Sequence, residues 1–268
     1  MTQKEYLRSL IDFASRTMSE PKEYSNCYVA FLDILGFQNI ALQWPVEKLK
    51  NIFDEIRKRV IAINTDLYKN MISGDTRERM NIVIMSDSII ISAHKKDQDA
   101  FLSIIVLAMQ IQYFLLEKGI LIRGGISQGD FLHYADITFG PALIRAYQLE
   151  NSKAHNSRIV IDEELVFDLT VESDNTQMLR TFIKQDEDGY RYLDSLKFLF
   201  ICQTAQIEDK CRNISKFITK SLRDFADDDN QLIKYEWLKN YYNSTLDFFV
   251  GIIDNSVIER CKVTENEK

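Results

Sequence analysis

The sequence predicts an α+β protein, a ferredoxin-like βαββαβ core followed by a helical C-terminal extension. Three observations predict it. Through residue 127, apolar runs of strand type and longer runs of helical spacing follow one another as strand, helices, strand, strand, helix, strand. From about residue 205 the chain turns to two long helical stretches rich in aromatic side chains, among them Phe217, Phe225, Tyr235, Trp237, Tyr241, Tyr242, Phe248 and Phe249. Three prolines and nine glycines in 268 residues leave no linker, repeat or low-complexity segment. The chain therefore reads as one domain over 1–268, with the core at 24–200 and the helical extension at 205–262.

The elements follow in order. Residues 2–19 place Tyr6, Leu7, Leu10, Ile11, Phe13 and Ala14 at helical spacing, and Pro21 ends that helix. "CYVAFLDI" (27–34) is a strand; a turn at Leu35-Gly36 leads into a short helix, and a second, amphipathic helix runs from Pro45 to about residue 67. "NIVIMSDSIIISA" (81–93) is two apolar runs around Ser86-Asp87, the pattern of a hairpin of buried strands. An apolar helix spans 98–118, and "ILIRGGISQGD" (120–130) is a strand ending in a glycine-rich turn. Gly140-Pro141 suits a helix start with Pro in the first position, and that helix runs to 153. "SRIVID" (157–162) is a short strand whose Asp162 caps a further helix. The second of the two long C-terminal helices is expected over 230–262, and "QDEDG" (185–189) is expected to be a solvated loop.

Bulk properties narrow the function. Apolar content of 46% and charged content of 27% are those of a soluble globular protein. The longest apolar stretch, 101–119, is cut by Ser103, Gln110, Gln112 and Glu117 and reads as a buried helix, so no membrane is implied. The polar, helical start argues against a signal peptide. Four cysteines without a CxxC pair and three histidines make a zinc site improbable, and the thiols read as reduced, in a cytoplasmic protein. A net charge of −7 supplies no basic footprint for nucleic acid.

Two aspartates stand inside otherwise apolar strand segments, where an ionised carboxylate is costly to desolvate. Asp33 ends the first strand and Asp87 sits at the hairpin turn. In a βαββαβ fold those strands are neighbours at the middle of the sheet, so the two carboxylates meet at one sheet end. Two readings are open: strand-end and turn caps, or a cation site that relieves like-charge repulsion. Hard oxygen ligands without a nearby His suit Mg²⁺ or Mn²⁺. The N–H groups of Leu35, Gly36 and Phe37, at a helix start, suit phosphate. Two metals between two such aspartates beside that turn form a phosphoryl-transfer site. Arg123, in an apolar strand, needs an anionic partner, either a carboxylate of the chain or a phosphate.

Four segments, in order, resemble the class III nucleotidyl cyclases: "AFLDILGF" (30–37), "VIMSDSIIIS" (83–92), "LIRGGISQGD" (121–130) and "DITFGPALIRAYQLE" (136–150). The resemblance spans about residues 26–165 and implies a class III cyclase core. It implies that Asp33 and Asp87, with the carbonyl of Ile34, hold two Mg²⁺ or Mn²⁺ ions per site. It further implies that Leu35, Gly36, Phe37 and Arg123 bind the triphosphate, and that the ribose 3′-hydroxyl attacks the α-phosphate and expels pyrophosphate. Asp136 aligns near a base-contacting Asp of adenylyl cyclases, or is a plain β-turn residue. The family's dimer is head-to-tail, with metals held by one chain and helix 140–153 supplied by the other.

The departures are specific. Where purine cyclases place a base-reading Lys or Glu, this chain has Val83, and the transition-state Asn and Arg fall at Ile144 and Gln148; Arg145, one residue away, is the available cation. The pattern "FLDILGF", "SDS", "RGGIS" and "GPALIRAYQLE" is most similar to the pyrimidine cyclases of bacterial Pycsar antiphage defence. Those are stand-alone homodimers whose cyclic UMP or cyclic CMP activates a separate effector. UTP is favoured over CTP because uridylate cyclases are the commoner branch. A pocket narrowed by Tyr134, Phe139 or Tyr147 would suit a pyrimidine, although each ring reads first as plain core. A degenerate, non-catalytic nucleotide-binding module is the remaining alternative, favoured by Ile144 and Gln148.

Overall fold

The computed structural model describes residues 23–69, 80–97, 99–134, 137–168, 174–198, 207–250 and 253–264. The expected helix at 2–19, Asp136 and Cys202 lie outside them.

β1 (Ser25–Ile34) alternates side chains between two faces and lies between β3 (Ser88–His94) and β4 (Ile122–Tyr134), antiparallel to both. β2 (Met80–Met85) completes the hairpin with β3. These four strands run in the order β2-β3-β1-β4, and the sheet continues through β6 (Ile159–Ile161), β8 (Arg191–Leu193) and β7 (Ile183–Gln185). β5 (Ile137–Phe139) pairs only with β4. Between β1 and β2 come α1 (Phe37–Gln43) and α2 (Val46–Lys69); between β3 and β4 comes α3 (Ala100–Glu117). Strand order and helix placement are those of the expected βαββαβ core.

The even-numbered side chains of β1, Tyr28, Ala30, Leu32 and Ile34, enter the main core with Ile52, Ile56 and Val60 of α2 and most of α3. That helix is buried nearly all round, which explains its uninterrupted apolarity. By length and composition it would pass for a membrane span, yet most of it is inside the protein. On the opposite face Cys27, Val29 and Phe31 pack with Ile90, Phe131 and Ala142, the last from α4 (Pro141–Lys153). α4 covers only part of this face, over β1, β4 and β6.

α5 (Glu163–Asp168) and α6 (Asp174–Thr181) follow β6, and α7 (Ile207–Asp224), α8 (Asp229–Phe248) and α9 (Asn255–Cys261) close the chain. These last three share one apolar cluster with Tyr113 and Leu116 of α3, Leu121, Tyr192 and Leu196. Cys27, Cys211 and Cys261 are free and buried, and burial holds all three thiols above their ordinary range.

Three sequence expectations change. β4 does not end in a turn at its glycines but runs on to Tyr134, with Gly129 at φ 138° inside it. Gly124 and Gly125 serve close approach: a Cβ at 124 would meet the Phe31 carbonyl at 2.6 Å, and one at 125 the Ala146 carbonyl at 2.2 Å. The expected helix over 230–262 is two helices, because the Asp254 side chain accepts from the Ser256 N–H and starts α9 afresh. Finally, "QDEDG" is the turn of the β7–β8 hairpin. Its Asp186 and Asp188 both grip Arg158, a guanidinium left 1% exposed, and Asp186 also accepts from Trp237 Nε1 at 2.9 Å.

Candidate active site

Register brings the two aspartates together. Asp33 is paired with Ser88 of β3 on one side and Arg123 of β4 on the other. Asp87 precedes Ser88, and its carbonyl accepts the Ile34 N–H at 2.9 Å, so the β1 ladder extends into the hairpin loop. That loop is the two residues Ser86-Asp87 between paired Met85 and Ser88. Ser86 sits at φ 57°, the left-handed region usually left to glycine. A non-glycine residue held there at a two-residue turn stores strain next to the carboxylate it positions.

Burial raises the Asp33 carboxyl above its ordinary value; Arg123 opposes this, and the neighbouring charge of Asp87 adds to it. Arg123 Nε stands 3.8 Å from Asp33 Oδ2 and touches Glu150 Oε1 from the last turn of α4. Glu150 is 3% exposed in its side chain, and burial and the charge of Asp33 raise it while Arg123 works against both. The contact between Arg123 Nε and Glu150 Oε1 is an ion pair off the hydrogen-bond line, so neither atom has a hydrogen-bond partner among the described residues. Glu150 was not singled out from the sequence.

The turn after Asp33 offers fewer amides than expected. The Leu35 N–H already donates to the Leu121 carbonyl at 2.9 Å, which takes it out of the expected cradle and leaves those of Gly36 and Phe37. Gly36, at φ 70°, precedes α1, and open space lies where its Cβ would be. Among the described residues no group of three or more His, Cys, Asp or Glu side chains is set to hold a metal. Two carboxylates at one sheet end, with the charge of Asp87 raising Asp33, nevertheless fit a hard cation. Mg²⁺ in particular takes one or two carboxylates and completes its shell from water and phosphate oxygens.

α4 turns an apolar face outward: Ile144 is 58% exposed and Tyr147 49%, with Tyr147 edge-on to Phe31. Arg145 and Gln148 share that face, and Arg145 is held through Nε and Nη2 by Asp162 at 2.6 and 3.1 Å. Asp162 also accepts from the Glu164 N–H at the start of α5, the capping role expected of it. Phe139, exposed beside Tyr24, lies on β5, and Val83 pairs with Ile90 and packs against the apolar cluster that α4 joins through Ala142.

No protein-family model matches the chain, and no curated protein matches it. Solved structures that do resemble it are cyclase domains. The adenylyl cyclase CyaB from P. aeruginosa is 14% identical, covering 64% of this chain and 94% of that one, at a TM-score of 0.42. The dimeric guanylyl cyclase domain of the RhoGC fusion protein from Blastocladiella emersonii is 17% identical, covering 65% and 96%, at 0.43. The guanylate cyclase domain of RhGC from Catenaria anguillulae, in complex with GTP, is 18% identical, covering 64% and 96%, at 0.40. Likeness at this level adds no weight to a functional reading, which stands on the chain's own residues.

Proposed function

We propose that the chain is a nucleotide cyclase that converts UTP to 3′,5′-cyclic UMP and pyrophosphate. The observation that carries this is the meeting of Asp33 and Asp87 at one sheet end, in register with Arg123 and beside the open turn at Gly36. Asp33, Asp87 and the Ile34 carbonyl would hold two Mg²⁺ or Mn²⁺ ions, which supply Lewis-acid stabilisation of phosphate oxygens and a more acidic hydroxyl. Arg123 balances charge on the polyphosphate, and the amides of Gly36 and Phe37 donate to it. The ribose O3′ forms the new bond to the α-phosphorus as the bond to pyrophosphate breaks. Val83, an apolar side chain four positions before Asp87, supports a base other than a purine read by hydrogen bonds.

The outward apolar face of α4 supports a homodimer in which each chain completes the other's site, with Arg145 as the cation offered across it. In the antiphage setting that the sequence resemblance suggests, the cyclic nucleotide is a second messenger read by a separate effector. The test is incubation with each of the four nucleoside triphosphates and Mn²⁺, followed by analysis for cyclic products. Cyclic UMP that disappears in Asp87→Ala is expected; cyclic CMP would move the assignment to CTP, and a cyclic purine would overturn the pyrimidine reading. The engagement of Arg145 by Asp162 favours one second reading, a module that binds nucleotide without turnover. Four blank assays with nucleotide binding intact would establish it.

A further inference from the structure

We infer that Glu150 is a positioning residue that sets the orientation of Arg123 toward bound triphosphate. The inference rests on the reading of this sheet end as a triphosphate site. α4 can deliver a carboxylate here only because Gly125 lets the helix lie against the strand, with Ala146 and Leu149 directly over it. Glu150, one residue on, is thereby buried against Arg123. A buried carboxylate is costly unless it holds something of opposite charge in a defined place. Both carboxylates that neighbour Arg123, Asp33 and Glu150, make their closest approach at Nε. That arrangement leaves the Nη edge of a planar, rigid guanidinium as the part offered to an oxyanion. Asp33 alone, at 3.8 Å, is too distant to fix that plane. Glu150 is in contact and is anchored to a helix, so its charge holds the Nε side of the guanidinium in place.

The experiment measures binding of inorganic tripolyphosphate at fixed Mg²⁺ by calorimetry, in the full chain, for wild type, Glu150→Gln, Glu150→Asp, Arg123→Gln and the Glu150→Gln/Arg123→Gln double variant. Thermal melts are run alongside to separate loss of fold from loss of orientation. Glu150→Gln is expected to weaken binding about tenfold while remaining folded, a loss of the size that one misplaced charge-assisted hydrogen bond gives. Glu150→Asp should recover part of it, and in the Arg123→Gln background Glu150→Gln should cost nothing further. A folded Glu150→Gln that binds like wild type overturns the role of Glu150 and leaves the site reading standing, and so do additive losses in the double variant. Wild type that fails to bind tripolyphosphate overturns both. If Glu150→Gln does not fold, Glu150→Asp and the Arg123→Gln comparison carry the same decision.

Discussion

Gly125 lies directly beneath Ala146, so that a Cβ at 125 would stand 2.2 Å from the Ala146 carbonyl oxygen and 2.7 Å from Leu149 Cβ. The atoms in the way are helix backbone and a Cβ, neither of which can swing aside. Gly125→Ala should therefore destabilise the fold by about 2 kcal/mol, an overpacking cost, with α4 pushed off the sheet. Gly36→Ala meets no atom and carries only the strain of a left-handed backbone, about 1 kcal/mol. Urea denaturation of the two variants should rank them in that order.

Arg158 is the most buried charge in the β6–β8 region, and its partners Asp186 and Asp188 come from a hairpin turn. Arg158→Ala should cost about 3 kcal/mol, since it empties the site and leaves Asp186 short of its cation. The same network gives the stability an acid limb. Burial works to raise Asp188, but the hydrogen bond from Arg158, the Tyr190 N–H and the guanidinium charge outweigh it, and the carboxyl lies below its ordinary 3.8. A depressed carboxyl contributes stability at pH above its unfolded value and loses it as pH falls through the folded one. Chemical denaturation between pH 7 and pH 2.5 should show wild type weakening below about pH 4, with a shallower fall in Asp188→Asn. Because Asp188 is 38% exposed, the difference will be small and reduced by salt.

The outward face of α4 should control assembly. Ile144→Asp combined with Tyr147→Asp places two charges where a partner would bury apolar surface. Light scattering should show a wild-type dimer and a folded monomeric variant, with cyclase activity lost in step with dimerisation. A monomeric wild type with undiminished activity would remove the shared-site arrangement.

Divalent cation should stabilise the protein through Asp33 and Asp87. In the free protein the charge of Asp87 raises Asp33, so Mn²⁺ binding offsets that cost. Mn²⁺ at ten times its Kd should raise the unfolding free energy by about 1.4 kcal/mol in wild type and by nothing measurable in Asp87→Ala.

Part of this was legible in the sequence and part was not, for physical reasons. Asp33 and Asp87 stood out because strand apolarity made each carboxylate anomalous, and the βαββαβ order alone placed them together. Glu150 and Arg158 were silent because each sits where charge is ordinary, a helix end and the edge of a short strand. What buries them comes from elsewhere in the chain: Gly125 of β4 in one case, the "QDEDG" turn in the other. The break between α8 and α9 was hidden because apolar residues, among them Val250, Ile253, Val257 and Ile258, continue across it, while the decisive signal is a single capping Asp254. The Leu35 amide looked available because its acceptor, the carbonyl of Leu121, belongs to a distant segment.

The apolar cluster formed by α7, α8 and α9 also takes in Leu121 and the side of Leu35, joined by a backbone hydrogen bond two positions beyond the Asp33–Arg123 pair. Behind the candidate site, then, stands packing drawn from the last quarter of the chain. A nascent polypeptide emerging from the ribosome would carry both aspartates and Arg123 long before that backing exists. The turn proposed to meet a triphosphate gains its support only once residues 207–261 have been added, so a chain stopped short of them carries both aspartates but not the wall behind them.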